Sequence, residues 1–148
     1  MKGLFYLLLG VLSLAVFGGS PSPDAHVPEG YDFAEYWDDP SPWMDFIDYR
    51  KYYYPDGSGP LFLRQGYAPV TTGDLPKLKA YFDDYARWVD DTHCHLHGIY
   101  SFDTACIDAE DRYFLVDERL DPAHPVECYR LWFYDAQTAT LHVLINKW

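Results

Sequence analysis

Between Asp91 and His97 the chain reads Asp-Thr-His-Cys-His-Leu-His, with His93, His95 and His97 at every second position. On an extended backbone alternate side chains share a side. The three imidazoles would then project together, and neutral imidazoles are good ligands for zinc or another borderline metal. A site of this kind would suit a small metal-dependent hydrolase. Its closure is opposed by spacing, because at a strand rise of ~3.3 Å per residue the outer histidines stand roughly 13 Å apart. Cys94 would point the other way. The expectation is therefore no metal, no cofactor and no catalytic residue, with His93, His95 and His97 as the alternative.

The string Val89-Asp90-Asp91-Thr92-His93-Cys94-His95-Leu96 resembles the metal motif that opens TatD-type, amidohydrolase-like nucleases. The resemblance implies a TIM barrel of ~250 residues with the motif on its first strand. Here a helical pattern precedes the motif, only residues 98–148 follow it, and no later His and Asp ligands complete the set. Asp103, Asp108, Glu110 and Asp111 form a second acidic group, but without the Asp, Asn and Gly pattern of a calcium loop they read as a solvated turn. Three cysteines, Cys94, Cys106 and Cys128, fall one to a segment and read as free, mostly buried thiols.

The elements around these residues follow from periodicity. Leu75, Leu78, Phe82, Tyr85 and Val89 recur at alternating steps of three and four, which predicts an amphipathic helix over 74–91 with Lys77, Lys79, Asp83, Asp84, Arg87 and Asp90 outward. Gly73 or Asp74 is the expected N-cap. Four strands are expected beyond it, at Tyr100–Ile107, Arg112–Glu118, Glu127–Tyr134 and Thr140–Lys147, each rich in aromatic or β-branched residues. The links between them are too short for parallel crossovers, so residues 100–148 read as an antiparallel meander. An Asp opening the turn at 108 and at 135 can accept its own downstream amides. Parity puts Tyr129, Leu131 and Phe133 against Cys128, Arg130, Trp132 and Tyr134, and Tyr113 and Leu115 against Phe114 and Val116. Both faces are then apolar and both need cover.

The fold class expected is α+β, with one main helix on a four-stranded antiparallel sheet. The aromatic-rich segment 31–70 would cover the other face, with a short helix starting at Ser41-Pro42 and carrying Trp43, Phe46, Ile47 and Tyr54. Residues 31–148 read as one domain and 19–30 as a Pro-rich connector. Residues 1–18 read as a secretory signal peptide, from Lys2, the apolar run Leu4–Phe17 and the small residues after it. The chain is then secreted or held in the cell envelope, and meets a membrane only if that segment stays uncut.

Removing residues 1–18 takes away Lys2 and moves the formal charge from −12 to −13. Such a chain repels phosphate backbones, which excludes nucleic acid as a partner class. Fourteen tyrosines and five tryptophans favour an aromatic, acidic surface suited to a basic protein surface or a carbohydrate. A non-catalytic binding module is the expected function, ahead of the hydrolase. Mass spectrometry of the exported protein should find Gly19 as its first residue; a chain that still begins at Met1 would contradict the signal-peptide assignment.

Overall fold

The computed structural model describes residues 23–38, 46–91, 100–117 and 128–147. Six strands form one antiparallel sheet: β1 (Phe33–Asp38), β2 (Phe46–Tyr53), β3 (Ala68–Pro69), β4 (Arg112–Asp117), β5 (Tyr129–Asp135) and β6 (Thr140–Lys147). Their order is β1-β2-β6-β5-β4-β3. Two helices accompany them, the short α1 (Gly59–Arg64) and the long α2 (Leu75–Asp91). The protein is thus α+β with one main helix.

The meander β4-β5-β6 follows the expected strands closely, and both its β5-β6 turn and the turn leading into β4 use the expected chemistry. Asp135 Oδ1 accepts from the amides of Gln137 (2.9 Å) and Thr138 (3.3 Å), and Asp108 Oδ1 accepts from Glu110 (2.7 Å). The sheet is wider than four strands because Phe46–Tyr53 is a strand and not the expected helix. Paired to β6 along its whole length, it places Tyr49, Lys51 and Tyr53 on one face and Arg50 and Tyr52 on the other. A neighbouring strand edge outweighs the weak helical spacing of 46–54.

Tyr100–Ile107 is the second correction. It forms no strand but a loop closing in a 3-10 turn at Thr104–Cys106, whose Ala105 amide donates to Asp103 Oδ1 at 2.9 Å. Its aromatic residues pack instead of pairing. Phe102 stacks on Phe82 at 4.3 Å and meets Phe133 edge-on, while Tyr100 meets Tyr49 and Tyr85 edge-on.

One face of the sheet carries Tyr49, Leu144, Tyr129, Leu131 and Phe133, and α2 seals it with Leu78, Tyr81, Phe82, Tyr85 and Val89. Asp84, expected outward, is buried there; its carboxylate accepts from Arg87 and from Asn146 Nδ2. The opposite face carries Tyr52, Trp132, Tyr134, Leu141, Val143 and Ile145. Within the segment 31–70 expected to cover this face, the described strands β1 and β2 extend the sheet sideways, and residues 59–67 lie across it. The cover is α1, through Phe62, with Tyr67, Val27 and the ring of His26, which stacks on Phe114 at 4.2 Å. Residues read from sequence as connector are therefore part of the packing. Gly66, with φ +86°, ends α1 in a left-handed turn and lets the Tyr67 amide return to the Phe62 carbonyl.

His142 of β6 lies buried on the α2 face, joined to the Tyr49 hydroxyl by a 2.9 Å hydrogen bond through Nδ1. Burial first, and then the charge of Lys51, press its pKa down to about 3. The unfolded chain takes up this proton near the ordinary value of about 6.5, whereas the folded chain refuses it until far lower pH. The stability present above pH ~6.5 is therefore lost as pH falls toward ~3, by up to about 1.4 kcal/mol per pH unit from this group. Denaturant unfolding of His142→Gln across that window should show a shallower acid loss than the wild type, and equal slopes would contradict the assignment.

Candidate binding surface

β1 ends the sheet on one side among the described residues, and exposed aromatic rings gather on it. Phe33 is 57 % exposed, Tyr36 49 % and Tyr31, just ahead of the strand, 41 %. Local geometry fixes them there. Gly30, at φ +105°, turns the chain into the strand, and the Asp32 amide donates to the Tyr53 carbonyl at 2.8 Å. From that point β1 runs antiparallel to β2, with Phe33 opposite Tyr53, Glu35 opposite Lys51 and Tyr36 opposite Arg50.

Because side chains alternate, the strand presents rings on both faces. On the α2 face Phe33 stacks on Tyr53 at 5.8 Å, and Trp37 stacks on Tyr49 at 5.4 Å. The other face carries Tyr36, edge-on to Tyr52 at 5.7 Å, and Tyr52 also meets Tyr31 edge-on at 5.0 Å. The cations of β2 are held inward. The Lys51 ammonium lies over the Trp37 and Tyr49 rings, while the Arg50 guanidinium sits over Tyr36 and pairs with Asp24 at 3.2 Å. Residues 29–38 contribute Glu29, Asp32, Glu35 and Asp38 and neither Lys nor Arg. Glu35 accepts a 3.1 Å hydrogen bond from the Tyr53 hydroxyl. The edge is therefore aromatic and acidic, with its nearest positive groups already engaged.

Two hollows elsewhere carry polar groups. One, of about 420 Å³, lies between the start of α1 and the turn at 108–112, and is lined by Pro60, Leu63, Asp108, Glu110 and Arg112 among others. Asp111, next to it, is not a solvated turn residue. It is buried and accepts from the amides of Asp108 (2.8 Å) and Ala136 (2.9 Å), tying the turn before β4 to the β5-β6 hairpin turn. Burial pushes its carboxyl up to about 6.

The second hollow, of about 320 Å³, is lined by Lys51, Tyr53, Asp103, Cys106, Asp135 and His142 among others. A cysteine and a histidine there invite comparison with a thiol nucleophile and its base, yet both are shifted the wrong way. Local desolvation and the carboxylate of Asp103 raise the exposed Cys106 thiol, and His142 is too weak a base at a pKa of about 3. Cys106 and Cys128 are free thiols; Cys128 is buried as expected, whereas Cys106 is exposed because its segment is a loop.

His93, Cys94, His95 and His97 lie outside the described residues. Among those that are described, no group of three or more His, Cys, Asp or Glu side chains is placed to hold a metal ion, the acids at 103–111 included. No described helix is long and apolar enough to cross a membrane. Parity within 33–37 was the one sequence signal for the aromatic edge, and it becomes readable only once this segment is known to be a strand. Comparison with protein-family models, with curated proteins and with solved structures finds no match to this chain.

Proposed function

We propose that this chain is an exported, non-catalytic interaction module whose binding surface is the aromatic, acidic edge at β1, and whose partner is a basic protein surface. The observation that carries this reading is the distribution of large apolar side chains. Most of the described aromatic residues are packed inside, and three of the four large apolar residues most exposed to water, Tyr31, Phe33 and Tyr36, stand together on one sheet edge. Rings left in water beside carboxylates suit cationic side chains, which gain from both the ring faces and the charge. The stacked Phe33 and Tyr53 rings also offer a platform for a sugar, which makes carbohydrate the competing partner class. The rival reading, a metal-dependent hydrolase using His93, His95 and His97, rests on residues outside those described.

Affinity for immobilised cationic peptides and neutral oligosaccharides, measured for wild type, Phe33→Ala and Tyr36→Ala, separates these possibilities. Retention by the cationic peptides is expected, and each substitution should weaken it about fivefold or more although the net charge is unchanged. Retention on oligosaccharides alone would reassign the partner. Equal binding by the variants would remove β1 from the account.

A further inference from the structure

The two edges of the sheet are built differently. β3 is two residues long and contains Pro69, which has no amide to offer a further strand. β1 has six residues and no proline, lysine or arginine. Among the described residues it is the edge open to pairing.

The register also identifies which of its backbone groups face outward. On the far side of β2 the Tyr54 amide donates to the Ala139 carbonyl at 2.9 Å, continuing the register Tyr52↔Leu141 and Tyr53↔Thr140. Backbone groups alternate sides along an antiparallel strand. Even-numbered residues of β2 thus bond to β6, and odd-numbered ones, Tyr53, Lys51 and Tyr49, face β1. Their partners Phe33, Glu35 and Trp37 spend their amides and carbonyls on β2. Ala34 and Tyr36 direct theirs out of the sheet.

We propose that the β1 edge accepts a basic, extended peptide segment of another protein as an additional antiparallel strand, bonded to the backbone of Ala34 and Tyr36. This rests on the reading of β1 as the binding surface and adds the mode and the partner's pattern. Main-chain bonds supply affinity in such strand addition, and alternate side chains supply specificity. An incoming strand with Lys or Arg at every second position sets them on the face of Phe33, Glu35 and Trp37, where they meet a carboxylate and aromatic rings. The intervening residues fall on the face of Ala34 and Tyr36 and are apolar. A second copy of this chain fits poorly, because antiparallel pairing of β1 with itself opposes one acidic stretch to another, and like charges across a strand pair are destabilising. The same acids that bar self-association select a basic strand.

The test uses the purified protein and a short synthetic peptide alternating Lys and Val. Three companions are needed: the same peptide with Glu for Lys, the same peptide N-methylated at alternate residues, and the protein variant Ala34→Pro. Affinity is measured by calorimetry and amide exchange by NMR. The Lys/Val peptide should bind and slow exchange at Ala34 and Tyr36, and the Glu peptide should not bind. N-methylation keeps charge and side chains but removes outward-reaching donors, so it should weaken binding by about tenfold or more. Ala34→Pro should do the same. Equal affinity for the N-methylated peptide, with Ala34 and Tyr36 unprotected, would overturn strand addition while leaving the ring-dependent surface intact. Absence of any peptide binding would overturn both. Protection of Ala34 and Tyr36 that rises with protein concentration alone would overturn the proposal in favour of self-pairing.

Discussion

Trp132 and Phe133 are consecutive in β5, point to opposite faces of the sheet and are both fully buried. That two-sided burial governs the rest of the architecture. β6 repeats it with Val143 and Leu144, so the centre of the sheet cannot touch water on either side. A sheet apolar on both faces needs two covers. Among the described residues there is one long amphipathic helix to give, and the second cover is assembled from small pieces: α1, Tyr67, Val27 and His26. Phe62 anchors those pieces, stacked on Tyr134 at 4.0 Å and edge-on to Tyr54 and Tyr67.

The abundance of tyrosine belongs to the same economy. Tyr54, Tyr67, Tyr85 and Tyr129 are buried, yet each hydroxyl finds a main-chain carbonyl, those of Pro28, His26, Asp48 and Tyr81 in turn. A phenol fills core volume with its ring and bonds a main-chain carbonyl with its hydroxyl. This is how the end of the 3-10 turn Pro23–His26 and the residues just after it are held against the sheet. The composition-level expectation that many tyrosines would lie on the surface therefore holds for only a few of them, and those few are concentrated at β1.

What could be read from sequence was whatever local period decides. α2 was legible because its stripe repeats without interruption, and β4 to β6 because their parity and their Asp-led turns are self-contained. Phe46–Tyr53 was not, since its identity as a strand depends on the edge of β6 almost a hundred residues later. Tyr100–Ile107 misled because aromatic residues that plug a core resemble those that line a strand. The fold-level consequence is that Phe33–Asp38 and Phe46–Tyr53, part of the segment expected to lie across the sheet, join it as strands while residues 59–67 cover it, and this creates the aromatic edge. Neither hollow nor edge could be placed before that was known. The histidine cluster at 93–97, the sharpest motif in the sequence, lies outside the described residues.

Two-sided burial makes the assembled cover at α1 as necessary to folding as the long helix. Replacing Phe62 with Ala and, separately, Phe82 with Ala compares the two faces directly, since both rings are fully buried. Truncating a buried phenylalanine costs about 3–5 kcal/mol. Chemical denaturation followed by both tryptophan fluorescence and far-ultraviolet dichroism should therefore give losses in that range for both variants, each in a single cooperative transition. If Phe62→Ala lost less than about 1 kcal/mol, or melted its own side in a separate early step while the rest stayed folded, the two-cover account would be contradicted.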